Sequence, residues 1–218
     1  LLDCTPDPIT YGFGQVSIEG DRDRIALLSG ANSGGKTTLL ETLGIITILT
    51  HCGLPIPASE AKVGLLDEIH MLAKVSGTQS AGALERTLRR LAEILVSNER
   101  KIILADELEA ITEPGSAALI LGGLLSESNN NPDTNILLVT HIGPSISKIM
   151  GNVVRIDGIE AQGLDENMDL IVDRTPKRNH IARSTPELIV RRLAARSSGA
   201  TEKIFSNFAK GEESTLST

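Results

Sequence analysis

SGANSGGKTT, residues 29–38, sets three glycines and a lysine between an apolar run and a stretch of helical character. Glycines let a chain curl so that successive backbone N–H groups point inward around an anion, and a following helix adds its positive N-terminal end. Gly30 to Thr37 carries the spacing G-x-x-x-x-G-K-[ST] of a phosphate-binding P-loop. Backbone groups of Gly30, Ala31, Asn32, Ser33, Gly34 and Gly35 are therefore expected to cradle the phosphates of ATP, with Thr38 behind them. Lys36 is expected to reach the β- and γ-phosphates, and the Thr37 hydroxyl to ligate Mg2+.

The surroundings suit this reading. RIALLSG (24–30) is a short apolar run ending in glycine, as a buried parallel strand would be. Residues 36 to about 52 lack proline and are apolar nearly all round, which predicts a buried helix stopped by Pro55 and Pro57. Leu84, Leu88, Leu91 and Leu95 recur at helical spacing over 80–97, with arginines on the other face. KIILADE (101–107) and NILLVTH (135–141) read as further strands, separated by a helix over 115–127 and an Asn-rich loop. GNVVRIDG (151–158) and MDLIVDRT (168–175) read as a hairpin at one sheet edge. TPELIVRRLAAR (185–196) reads as a helix capped by Thr185, with Pro186 in its first turn. Alternating strands and helices predict an α/β fold, a P-loop NTPase with a mainly parallel sheet and helices on both faces.

Two strand ends carry chemistry. Asp106 closes the apolar run of IILAD and is expected to complete the Mg2+ shell. Glu107, beside it, is placed to polarise a water for attack on the γ-phosphate, a pair that a kinase or GTPase would not need. His141, after ILLVT, is expected to sense or orient that phosphate. The chain holds four aromatics, and Tyr11 lies 25 residues before Lys36 in TYGFG. It can stack on adenine, with Phe13 as the alternative, or simply fill the core.

Composition bounds the partners. A net charge of -7 and pI near 5.2 argue against a chain that binds nucleic acid over its whole surface, so any DNA contact is expected to be local. Cys4 and Cys52 form neither a disulfide framework nor a metal-ligand spacing, and reduced thiols suit the cytoplasm. The longest apolar stretch, LGIITILTHCGLPIPA, is too short and polar to span a membrane. The opening LLDCTPDPIT, without an initiator Met, reads as mid-protein, so upstream domains are expected. The polar tail from Ser197 to Thr218 is expected to be loose, leaving 1–196 as one ATPase domain.

Strand-ending Asp-Glu, a late His and an upstream aromatic together resemble the ABC-type ATPases. Within them, SGANSGGKTTLLETLG is similar to the TGPNxGGK[ST] loop of the MutS family, the mismatch-repair and recombination-control ATPases. LADELEAITEPGSAA resembles the DELGxGTDPxEGxA form of the MutS-related branch that lacks mismatch recognition, and VTHIGPSI resembles TTHYxxL. The resemblance runs from about Ile9 to Arg196. It implies an ATPase that dimerises around two Mg-ATP molecules and switches a DNA-bound full-length protein. Two departures stand out. Glu109 and Ile111 replace the family's glycines after Asp-Glu. VSGTQSAGALE replaces the STF signature that touches the partner's γ-phosphate in ABC-type dimers, leaving Ser80 as the candidate signature serine and Ser76, in a capping box with Gln79, as its rival. Residues 174–196 hold seven Lys or Arg against one acid, Glu187. Such a run is usually a solvated helix face; the resemblance offers dimer stabilisation near DNA as the alternative. The alternatives are an SMC-like repair ATPase, which the short spacing from Lys36 to Asp106 disfavours, and a nucleotide-dependent dimerisation module with little turnover.

Overall fold

The computed structural model describes residues 8–14, 24–31, 34–72, 81–152, 154–167, 170–182, 186–197, 199 and 204. Five parallel strands form the central sheet: β1 (Ile25–Gly30), β2 (Glu68–Leu72), β3 (Lys101–Asp106), β4 (Thr134–Val139) and β5 (Arg155–Ile159), in the order β2-β3-β4-β1-β5. β1, β3 and β4 are apolar along almost their whole length because both their faces are covered. Alternation along β1 divides two cores. Ile25 and Leu27 pack with Leu91 and Ile94 of α2 (Ala81–Val96), Leu121 and Leu125 of α3 (Pro114–Ser128), and Ile146 of α4 (Gly143–Ile149). Ala26 and Leu28 face Leu39 and Leu40 of α1 (Lys36–His51), with Tyr11 and Phe13 against the same core. Fully buried side chains such as Leu27, Leu137 and Leu138 each contribute about 1.5–3 kcal/mol from burial. The result is the expected α/β architecture, a parallel sheet between two helical layers.

Buried cations close helix ends on the far side of the sheet. Lys101, wholly buried, donates its ammonium to the carbonyls of Ile94, at 2.8 Å, and Ser97, at the end of α2. Arg24 does the same for Asn129 and Asn131 after α3. Both place positive charge where a helix leaves carbonyls unsatisfied.

Four features depart from the sequence reading. The expected hairpin of 151–158 with 168–175 does not form. Arg155–Ile159 instead pairs in parallel with β1, and the hairpin joins β6 (Ala161–Leu164) to β7 (Leu170–Val172) as a separate two-stranded sheet. RIDGI can be buried on both faces because Arg155 and Asp157 neutralise each other, with Nη2 to Oδ2 at 2.6 Å and both side chains almost fully enclosed. β2 is an unanticipated edge strand, half-exposed and carrying Glu68 and His70. α4, seven residues long, is also new. Finally, α1 buries one face only: Ile45 is 50% exposed. The last helix, α5, runs over Pro186–Arg196; its expected cap Thr185 lies outside the described residues. No helix among the described residues is long and apolar enough to cross a membrane.

Candidate active site

The loop between β1 and α1 is shaped at both ends by glycine. Gly30 has φ +129°, and a Cβ there would stand 2.1 Å from the carbonyl oxygen of Ile159 on β5. The next amide, of Ala31, donates to that same oxygen at 3.2 Å. Gly35 is the N-cap of α1 in the left-handed region, with φ 78°. It brings no side chain to cap the helix, and the first turn carries no acid, so the positive helix end is open toward the loop. Asn32 and Ser33 lie outside the described residues.

Lys36 is almost fully buried at this helix start and donates its ammonium to the carbonyls of Gly30 (2.7 Å) and Ala31 (2.8 Å). Burial pushes its pKa down, an effect opposed by the negative field of Glu107, Asp106 and Glu109. Thr37 and Thr38 are exposed on the first turn of α1, and Thr38 uses its carbonyl to accept the Thr42 hydroxyl at 2.7 Å.

β4 lies between β1 and β3, yet the start of α1, which follows β1, meets the end of β3. Thr37 donates its hydroxyl to Asp106 Oδ2 at 2.8 Å. Asp106 Oδ1 is buried without a hydrogen-bond partner. Glu107 follows in a left-handed conformation, φ 45° and ψ 49°, which costs a non-glycine residue about 1–2 kcal/mol. Its Oε1 lies 2.8 Å from Nε2 of His141, on the turn after β4. The sequence-predicted Lys36, Thr37, Asp106, Glu107 and His141 thus come from three segments to one end of the sheet, at the carboxyl ends of parallel strands.

Glu109 was legible in the sequence only as a departure from a glycine. It sits in a 3-10 turn over Leu108–Ile111 and is buried. Its Oε1 accepts the Thr140 hydroxyl at 2.9 Å and the His141 backbone N–H at 2.7 Å, while Oε2 is buried without a partner. Thr140 in turn accepts the N–H of Ile142 through its hydroxyl oxygen.

Tyr11 lies at the edge of the α1-side core. Its hydroxyl donates to Asp157 Oδ2 at 2.7 Å, and the Arg155 guanidinium sits 5.6 Å from its ring centroid. Burial and the Asp157 carboxylate both push the phenol pKa up. Arg155 also donates to the Gly12 carbonyl, so one buried ion pair ties down the segment around the aromatic. Phe13 lies beside Tyr11, ring centroids 6.4 Å apart. Ser76 and Ser80 lie outside the described residues.

The donor set fits a magnesium ion better than a softer metal. One unpartnered carboxylate oxygen and a neighbouring hydroxyl suit a hard cation that keeps most of its water and takes its remaining ligands from phosphates. No group of three or more His, Cys, Asp or Glu able to hold a metal occurs among the described residues.

The family model for MutS domain V matches residues 26–195. The chain is 43% identical over 208 residues to the DNA-binding protein MutS2 of Pyrococcus furiosus, covering 94% of this chain and 37% of that protein. It is 37% identical over 127 residues to the endonuclease MutS2 of Gemmatimonas aurantiaca, covering 56% of this chain and 15% of the relative. With the endonuclease MutS2 of Thermus thermophilus it shares 33% identity over 144 residues, 64% of this chain and 18% of the relative. The chain therefore spans only part of the length of these relatives, from 37% of the Pyrococcus protein down to 15% of the Gemmatimonas one. The match to domain V extends from β1 through α5, across the whole sheet and every strand end described above, and the chain belongs to the MutS family.

Proposed function

We propose that this chain is an ATPase domain, spanning residues 1–196, that binds Mg-ATP on the loop at 30–38 and hydrolyses it. The observation that carries the reading is the contact of Thr37 with Asp106 at 2.8 Å, which joins the phosphate loop to the Asp-Glu strand end. Lys36 exchanges the carbonyls of Gly30 and Ala31 for the β- and γ-phosphate oxygens. Thr37 and Asp106 hold Mg2+, which supplies neutralisation of phosphate charge. Glu107 accepts a proton from the attacking water as its oxygen bonds to the γ-phosphorus; the bond to the bridging oxygen breaks and ADP leaves with that electron pair. His141 steadies Glu107 and lies near the transferred group. Asn32, Ser33 and Thr38 complete the phosphate cradle, and Tyr11 is assigned to the adenine end, with Phe13 as its alternative.

In this reading the chain is the ABC-type motor of a longer cytoplasmic protein that binds DNA, as the name of the Pyrococcus relative states for that protein. Two copies close around two nucleotides, with Ser80, or Ser76, meeting the partner's γ-phosphate. Binding energy then drives dimer closure, a population shift.

Titration calorimetry with Mg-ATP and single-turnover hydrolysis test this reading directly. Lys36→Ala removes charge-assisted bonds to phosphate and should weaken Mg-ATP binding by at least about tenfold. Near-normal affinity in a folded Lys36→Ala protein would overturn the assignment.

A further inference from the structure

We infer that Glu109 is a positioning residue that holds the His141 turn against the Asp-Glu loop, and through it fixes the carboxylate of Glu107. The hydrogen bonds close a ring. Glu107 and Glu109 sit two residues apart on one loop, and His141 is gripped by both: its ring meets Glu107 Oε1 at 2.8 Å, and its backbone N–H donates to Glu109 Oε1 at 2.7 Å. Thr140, fully buried, adds its hydroxyl to the same Glu109 oxygen at 2.9 Å. The Glu107 N–H donates to the Val139 carbonyl at 2.9 Å, completing the lacing of the two strand ends.

This ring bears on the left-handed backbone of Glu107. A strained non-glycine conformation persists where its surroundings over-determine it, and here it is anchored before and after by β4 and its turn. A residue without an acceptor at position 109 would leave the buried Thr140 hydroxyl and the His141 amide to find other partners. His141 would then be free to shift, and Glu107 with it. Misplacement of such a group by about 1 Å can cost about a hundredfold in rate. The role of Glu109 is one of reach: Oε2 makes no hydrogen bond that an amide would lose.

The inference rests, for its catalytic consequence, on the ATPase reading above; the grip itself does not. Three variants of the full chain, Glu109→Ala, Glu109→Gln and Glu109→Asp, separate the two. Gln keeps length and one acceptor oxygen; Asp keeps charge but withdraws the oxygen by a methylene. Glu109→Asp and Glu109→Ala should lower kcat by at least about tenfold with KM for Mg-ATP within about twofold, while Glu109→Gln recovers most of kcat. Backbone hydrogen exchange at His141, followed by NMR without nucleotide, should quicken in Asp and Ala and stay near wild type in Gln. If Glu109→Ala does not fold, the Asp and Gln pair decides alone. Unchanged exchange at His141 in Glu109→Asp overturns the grip. Altered exchange with unchanged kcat overturns the catalytic role. A wild-type chain that hydrolyses no ATP overturns the ATPase reading, while the exchange comparison still decides the grip.

Discussion

Thr37 and Asp106, 69 positions apart in the chain, share a hydrogen bond of 2.8 Å across the top of β4. The hydroxyl at the start of α1 and the carboxylate at the end of β3 therefore hold each other directly. Asp106 Oδ1 remains buried with no partner, a position that costs about 1–3 kcal/mol unless some group compensates it. A cation between this oxygen and a bound phosphate would supply that compensation.

The first prediction follows from that oxygen. Asp106→Asn keeps shape and hydrogen bonding but removes the charge, so the Mg2+ concentration giving half-maximal ATP binding should rise by at least about tenfold. Affinity for ATP in the presence of EDTA should change little. A Mg2+ midpoint equal to wild type would place the ion elsewhere.

Glu107 should separate binding from turnover. Glu107→Gln retains a partner for His141 yet cannot take a proton, so ATP binding should persist while single-turnover hydrolysis falls by about a hundredfold or more. The ATP-bound variant should also sediment with a larger dimer fraction than wild type. Unchanged turnover would assign water activation to another group.

Tyr11 permits a two-variant test of its assignment. Tyr11→Phe loses only the hydrogen bond to the buried Asp157 carboxylate, so the chain should be destabilised by about 1.5–3 kcal/mol in urea titration. ATP affinity should be unaltered, since the ring remains. Tyr11→Ala should also weaken ATP binding by about tenfold, the scale of one lost base-stacking contact. Full affinity in the folded alanine variant would make Tyr11 a core residue only.

What could be read from the sequence was what one local rule decides. The runs of β1, β3 and β4 are continuous because both faces are covered, and the loop before Lys36 is spelled by the steric need for glycine at Gly30 and Gly35. β5 escaped the same rule. RIDGI looks like half of an exposed hairpin until Arg155 and Asp157 are known to cancel each other, and that depends on β1 and Tyr11 being beside them. β2 and α4 are short and take their stability from neighbours, β2 from β3 and α4 from α3 and β5. Glu109 was visible as an oddity of position; its meaning required the Thr140–His141 turn, 31 residues downstream, to be folded against it.

The fit of Gly30 against the Ile159 carbonyl has a bearing on the order in which the domain can come alive during synthesis. The loop after β1 is synthesised well before the strand that backs it, which is the last of the five in the main sheet to emerge. Until Arg155–Ile159 pairs with β1, Ala31 has no carbonyl to hold and the entry to the loop is unsupported. A nascent chain that already contains Lys36, Asp106, Glu107 and His141 thus still lacks the wall that the turn at Gly30 leans on. Translation must pass residue 159 before that turn acquires its shape, so under the proposed reading ATP binding would wait for near-completion of the sheet.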